Sequence, residues 1–115
     1  MHELAITESI LNIAKKAAAE HGVTRVKEIR IKLGEYSGIM TQCVQYYFDV
    51  ISRGTVAEGA VLKMERLPII MRCNQCSWEG VIDKHHIQCP ACSSVSLKLL
   101  QGREFYVESL EVDQE

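Results

Sequence analysis

Apolar positions in the first twenty residues recur three and four apart, at Ile6, Ile10, Ile13, Ala14 and Ala17. That spacing predicts an amphipathic helix over 3–21, with Lys15, Lys16 and His21 toward the end where cations suit the helix dipole. Gly22 is its expected stop. From Val26 to Leu33 the period falls to two: Ile29, Ile31 and Leu33 alternate with Arg30 and Lys32, the pattern of a half-buried strand. Gly34–Gly38 breaks that pattern as a loop. Thr41 is the expected N-cap of a second helix running to about Arg53, with Gly54 as its stop and Val44, Tyr47, Phe48 and Ile51 on one face. A second strand is expected over Ala60–Arg66, ended by Pro68. Leu97–Leu100 and Arg103–Val112 read as extended, with Gly102 as a break or bulge.

Between these elements lies Cys73-Asn74-Gln75-Cys76, twelve residues, then Cys89-Pro90-Ala91-Cys92. Two C-x-x-C pairs at this separation are a zinc signal, because each pair turns tightly and puts two thiolates on one side of an ion. Two disulfides or a redox pair are the alternatives; redox motifs usually come singly, near a βαβ pattern. Four thiolates leave no open coordination position, so a zinc here is structural. Within the insertion, Trp78–Ile82 and Ile87–Gln88 are expected to form a short hairpin with Asp83-Lys84-His85 near its turn. So short a segment buries little apolar surface, and the metal should supply most of its folding energy.

The predicted order is helix, strand, helix, strand, zinc unit, strand. It implies an α+β fold: a small mixed sheet with two helices, interrupted by an inserted four-cysteine zinc ribbon. The corresponding division is 1–70 with 97–115 as one domain and 71–96 as the ribbon.

Composition narrows the function. A net charge of −2 and a pI near 6.1 argue against nucleic-acid binding, which usually brings a basic excess. No apolar run approaches a membrane span, and Glu3 and Glu8 stand where a signal peptide would be apolar, so a cytoplasmic location is expected. No G-x-S-x-G, P-loop, H-E-x-x-H or paired-carboxylate arrangement is present, and the chain does not read as an enzyme.

The first three residues, Met1-His2-Glu3, hold a second constellation. A bulky His at position 2 blocks removal of the initiator Met, leaving a free α-amine. That amine, the His2 amide nitrogen and the His2 imidazole can wrap one metal in two fused rings. The Glu3 amide or an outside donor would complete a square-planar set, the geometry of Ni(II) or Cu(II). First-turn N–H groups have no intrahelical partner, so losing their protons sacrifices no helical bond. A pair of solvated residues at a frayed terminus is the plain alternative.

Taken together, the Met-His-Glu start, the amphipathic helix and the C-x-x-C…C-P-x-C block resemble the HypA/HybF family, the nickel metallochaperones of hydrogenase maturation. Val56–Gly59 (Val-Ala-Glu-Gly), the Glu111-Val112-Asp113 end and the length carry the resemblance along essentially the whole chain. The resemblance implies a nickel-binding domain with His2 as required ligand and Glu3 as its accompanying acidic residue. It implies structural zinc on Cys73, Cys76, Cys89 and Cys92, and Ni(II) as transient cargo. Its partners would be a GTPase of the same pathway and the large-subunit precursor of a [NiFe] hydrogenase, with urease maturation proteins in some organisms. A monomer or weak homodimer is expected. A zinc-ribbon adaptor, or a nucleic-acid-binding module without nickel, is the rival reading.

His85 and His86 fall between the cysteine pairs. An exposed turn explains them; a further nickel ligand is the alternative. Cys43, one position from the Val44–Tyr47–Phe48–Ile51 face, reads as a small, partly buried core residue.

Overall fold

The computed structural model describes residues 2–113, apart from the side chain of His2. The chain falls into two compact units, one drawn from residues 1–31, 39–65 and 106–115, the other from 32–38 and 66–105.

In the first unit, α1 spans His2–His21. Its buried face is Thr7, Ile10, Leu11, Ala14 and Ala18, while Ile13 is 41% exposed. This stripe lies one position along from the one the isoleucines suggest. Thr7 can occupy it because its hydroxyl donates to the Glu3 carbonyl, so burial leaves no orphan polar group. The helix ends where Gly22 takes a left-handed conformation (φ 63) and the Val23 N–H bonds back to the Ala18 carbonyl at 3.0 Å.

Strand β1, Arg25–Gly34, buries Val26, Ile29, Ile31 and Leu33. A single 3-10 turn follows at Glu35–Ser37. Helix α2, Thr41–Ile51, packs on α1 and buries Val44 and Phe48. Its N-cap is Met40, one residue before the expected Thr41, and no side chain of its own caps it. Tyr47 is 36% exposed and leans edge-on to Tyr46, so it is not a core residue. Strand β2, Val61–Leu67, is held to α2 by the Leu62 N–H donating to Gln45 Oε1 at 3.0 Å.

Four strands follow: β3 Ile70–Cys73, β4 Glu79–Val81, β5 Leu97–Gln101 and β6 Phe105–Asp113. They do not complete one interrupted sheet. One sheet has the order β2-β1-β6 and the other β4-β3-β5. β6 runs antiparallel to β1, since the Thr24 N–H donates to the Asp113 carbonyl (3.3 Å) and the Gly34 N–H to the Glu104 carbonyl (2.7 Å). β5 pairs with β3, opposite Ile70–Cys73, instead of extending the first sheet. Leu100 is the extra residue of a bulge there, because Ile70 faces Gln101 while Met71 faces Leu99. In the second unit, Ile69, Met71 and Ile82 form a small core against Trp78, Ile87, Leu97 and Leu99.

Gly34 is buried where two backbones cross. A Cβ added there would lie 1.9 Å from the Gly102 carbonyl oxygen and 2.5 Å from the Arg103 nitrogen. The crossing is bonded by the Tyr36 N–H to the Gly102 carbonyl at 2.8 Å, and the Arg103 guanidinium lies 5.5 Å from the Tyr36 ring centre.

Candidate metal centre

Each C-x-x-C pair closes a tight knuckle, and the two knuckles use the same bonds. After Cys73, at the end of β3, the Ser77 N–H returns to the Cys73 carbonyl (3.1 Å) and the Cys73 N–H donates to the Trp78 carbonyl (2.7 Å). After Cys89, the Ser93 N–H returns to the Cys89 carbonyl (2.9 Å) and the Cys89 N–H donates to the Ser94 carbonyl (2.8 Å). Closing such a turn puts the residue after the second cysteine in left-handed backbone, and Ser77 (φ 66) and Ser93 (φ 65) both adopt it. A clasp joins the knuckles: Asn74 donates its backbone N–H to the Ser96 carbonyl (3.0 Å) and its side-chain amide to Ser96 Oγ (3.1 Å).

The four thiols converge. Cys73 and Cys92 Sγ lie 3.6 Å apart, Cys76 and Cys89 Sγ likewise, and all four within 4.8 Å of one another. A tetrahedron with Zn–S of about 2.3 Å has edges near 3.8 Å, so the set fits zinc. A disulfide needs sulfurs at about 2.05 Å, which these pairs do not approach. The first cysteine of each pair is buried and the second exposed. The buried sulfurs accept backbone N–H bonds, Cys73 Sγ from Gln75 (3.3 Å) and Cys76 (3.5 Å), and Cys89 Sγ from Ala91 (3.4 Å).

These donors favour thiolate at Cys73: the Cys76 amide first, then the Gln75 amide, hold it down to about 6 against the cost of desolvation. Cys92 moves the other way, up to about 12; the Ser94 amide favours its thiolate, but the Cys73 thiol, desolvation and the other two thiols outweigh it. Cys73 is thus the thiol that ionises most readily, while its neighbours hold Cys92 protonated. The ion the cluster fits is structural: four protein ligands leave no position for substrate, and its contribution is to cross-link the two knuckles.

Of the N-terminal candidates, Met1 and the side chain of His2 lie outside the described residues; α1 begins at His2. Glu3 is partly buried, and its Oε2 accepts the backbone N–H of Met40 at 3.1 Å, a contact that no local pattern announces. His85 and His86 are exposed on the expected turn, fixed by Asp83, whose Oδ1 accepts the His85 N–H (2.8 Å) and whose carbonyl accepts the His86 N–H (2.9 Å). The expected hairpin across this turn is absent: Glu79–Val81 pairs with β3, and Ile87–Gln88 joins no strand. Cys43 is half-buried in α2, and among the described residues the four knuckle cysteines form the only potential metal-ligand cluster.

A family model described as hydrogenase/urease nickel incorporation, metallochaperone, hypA matches residues 1–112. The chain belongs to the HypA family. The hydrogenase maturation factor HypA of Dehalococcoides mccartyi is 36% identical over 115 residues, covering 100% of this chain and 97% of that protein. The factor of the same name from Syntrophus aciditrophicus is 38% identical over 104 residues, 90% of this chain and 91% of its own length. The solution structure of the nickel metallochaperone HypA from Helicobacter pylori matches with a TM-score of 0.68 at 20% identity, over 98% of each chain. A second HypA solution structure matches with a TM-score of 0.73 at 21% identity, over 100% of this chain and 98% of the other. At those identities the structural likeness speaks for the fold. The HypA family is one of hydrogenase maturation metallochaperones, not of catalysts. Among the described residues no helix is long and apolar enough to cross a membrane.

Proposed function

We propose that this chain is a carrier that takes up Ni(II) at Met1-His2-Glu3, with the α-amine, the His2 amide and the His2 imidazole as donors and Glu3 as accompanying acidic residue. The observation that carries this reading is the family match beginning at residue 1, which brings the tripeptide inside the matched region. The chemistry of the cysteine cluster supports it from the other side. A closed four-sulfur site retains its metal, and cargo needs a site with few protein donors and an open edge.

The unit holding α1 and α2 is then the nickel-binding part, and the knuckle unit is the zinc part. The carrier works in the cytoplasm with the GTPase of its pathway and passes nickel to the large-subunit precursor of a [NiFe] hydrogenase. Urease maturation proteins are further candidates, and the working form is a monomer or weak homodimer.

Nickel titration of the zinc-loaded protein, read by visible absorption on wild type and His2→Ala, tests the reading. A one-to-one complex whose square-planar band is lost in the variant supports it. Equal binding by both would move nickel elsewhere, and no binding by either would leave a zinc-knuckle adaptor.

A further inference from the structure

Bonds inside and outside the helix tie the first turn of α1. Inside the helix, the Glu3 carbonyl accepts the hydroxyl of fully buried Thr7. Outside it, the Glu3 carboxylate accepts the N–H of Met40, 37 residues away, at 3.1 Å. Met40 is the N-cap of α2, with extended backbone (φ −90, ψ 103), and its carbonyl accepts the N–H groups of Cys43 (3.1 Å) and Val44 (3.3 Å). Its side chain makes no capping bond. The glutamate of one helix therefore stands where the other helix lacks a capping group, and an anion there suits the positive end of the α2 dipole.

We propose that Glu3 is a positioning residue, whose carboxylate braces the nickel-binding first turn of α1 against the N-terminus of α2. This rests on the N-terminal nickel reading and deepens it. A terminus held at Glu3 presents the preceding His2 donors with less ordering left to lose on binding, so the brace tightens nickel. Coupling of this kind is reciprocal: nickel should steady the first turn of α2 by as much as the brace steadies nickel. The carboxylate oxygen given to Met40 is thereby committed to an amide and not to the metal.

Two proline variants separate brace from ligand. Met40→Pro deletes the donor N–H at a φ within reach of proline and leaves the Glu3 carboxylate in place. Thr41→Pro puts proline at the first helical position, where it is tolerated, and keeps the donor. In zinc-loaded full-length protein, Met40→Pro should bind nickel about fivefold more weakly with its visible band unmoved, the effect of losing one exposed charge-assisted bond, and Thr41→Pro should match wild type. If Glu3 were instead a carboxylate ligand, freeing it would leave nickel binding equal or tighter, and the proposal would be overturned.

Amide exchange without nickel reads the brace directly. Glu3→Ala should speed exchange at Met40, and Glu3→Gln, which keeps an acceptor, should restore part of the protection; no change in Glu3→Ala would refute the brace. If wild type and His2→Ala bind nickel alike, the N-terminal reading fails and the coupling fails with it, while the exchange result still decides the brace.

Discussion

Replacing Gly34 by alanine forces a carbon into a backbone crossing. The new Cβ would sit 1.9 Å from the Gly102 oxygen and 2.0 Å from its carbonyl carbon, where about 3 Å is the least that real contacts allow. Backbone on both sides must therefore part by roughly 1 Å, more than packed interiors give freely. The bonds spanning the crossing are the Gly34 N–H to Glu104 (2.7 Å) and the Tyr36 N–H to Gly102 (2.8 Å). Losing both costs about 1 kcal/mol each, and strain plus disturbed packing adds about 1 kcal/mol, for a total of about 3 kcal/mol. For a chain of this length that lowers the melting temperature by roughly 12 °C. Urea unfolding of the zinc-loaded protein can be followed by Trp78, the single tryptophan, which packs on the core of the same unit. Gly54→Ala is the comparator: it places alanine in left-handed backbone (φ 78), a strain that extended Gly34 (φ −70) does not carry, but into open space, and should cost about 1 kcal/mol. A Gly34→Ala variant no less stable than Gly54→Ala would refute the steric reasoning.

Removing zinc with a strong chelator should change Trp78 emission and strip exchange protection from β3–β5, while most of the far-UV signal of α1 and α2 persists; unchanged Trp78 emission would count against a metal-held core. Ser77→Gly and Ser93→Gly should each stabilise the zinc-loaded protein by about 0.5 kcal/mol, the left-handed cost removed less the entropy glycine adds to the unfolded chain, measurable in urea midpoints. Ser52 is fully buried and its hydroxyl has no partner among the described residues, so Ser52→Ala should raise stability by about 1 kcal/mol in the same assay. Because imidazole and amide donors must lose protons to bind, nickel affinity should fall as pH drops through the histidine range near about 6.5, and a flat titration would exclude the N-terminal donor set.

Much of this was legible from periodicity and spacing. Both helices, β1, β2 and the four-cysteine cluster follow from local patterns. What stayed hidden depends on partners distant in the chain. The face of α1 could not be placed from apolar residues alone, since Ile6, Ile13 and Ala17 make a second stripe and the buried one includes Thr7. The N-cap of α2 was misplaced because its capping group is Glu3, from another helix. The pairing of β4 went to β3 because the Cys73–Ser77 knuckle itself reverses the chain, making 70–73 and 79–81 the natural hairpin. The clasp of Asn74 on Ser96 then delivers Leu97 opposite Cys73, which draws β5 into the same sheet.

The two proposed metals also ask different things of the polypeptide, and the bonding around each follows from that. Sulfurs meant to keep an ion are held by backbone: the paired knuckle turns, the Asn74–Ser96 clasp and the N–H donors to Cys73 and Cys89 all fix the ligands locally. Such a site gains affinity from rigidity and loses exchange. A site that releases its ion needs few protein donors, yet a wholly frayed terminus would bind too weakly to carry anything. A long-range bond from the third residue is an intermediate solution, since it ties the first turn of α1 without closing the coordination sphere. On the proposed reading, nickel affinity at the N-terminus would depend on a contact 37 residues away as well as on the tripeptide itself.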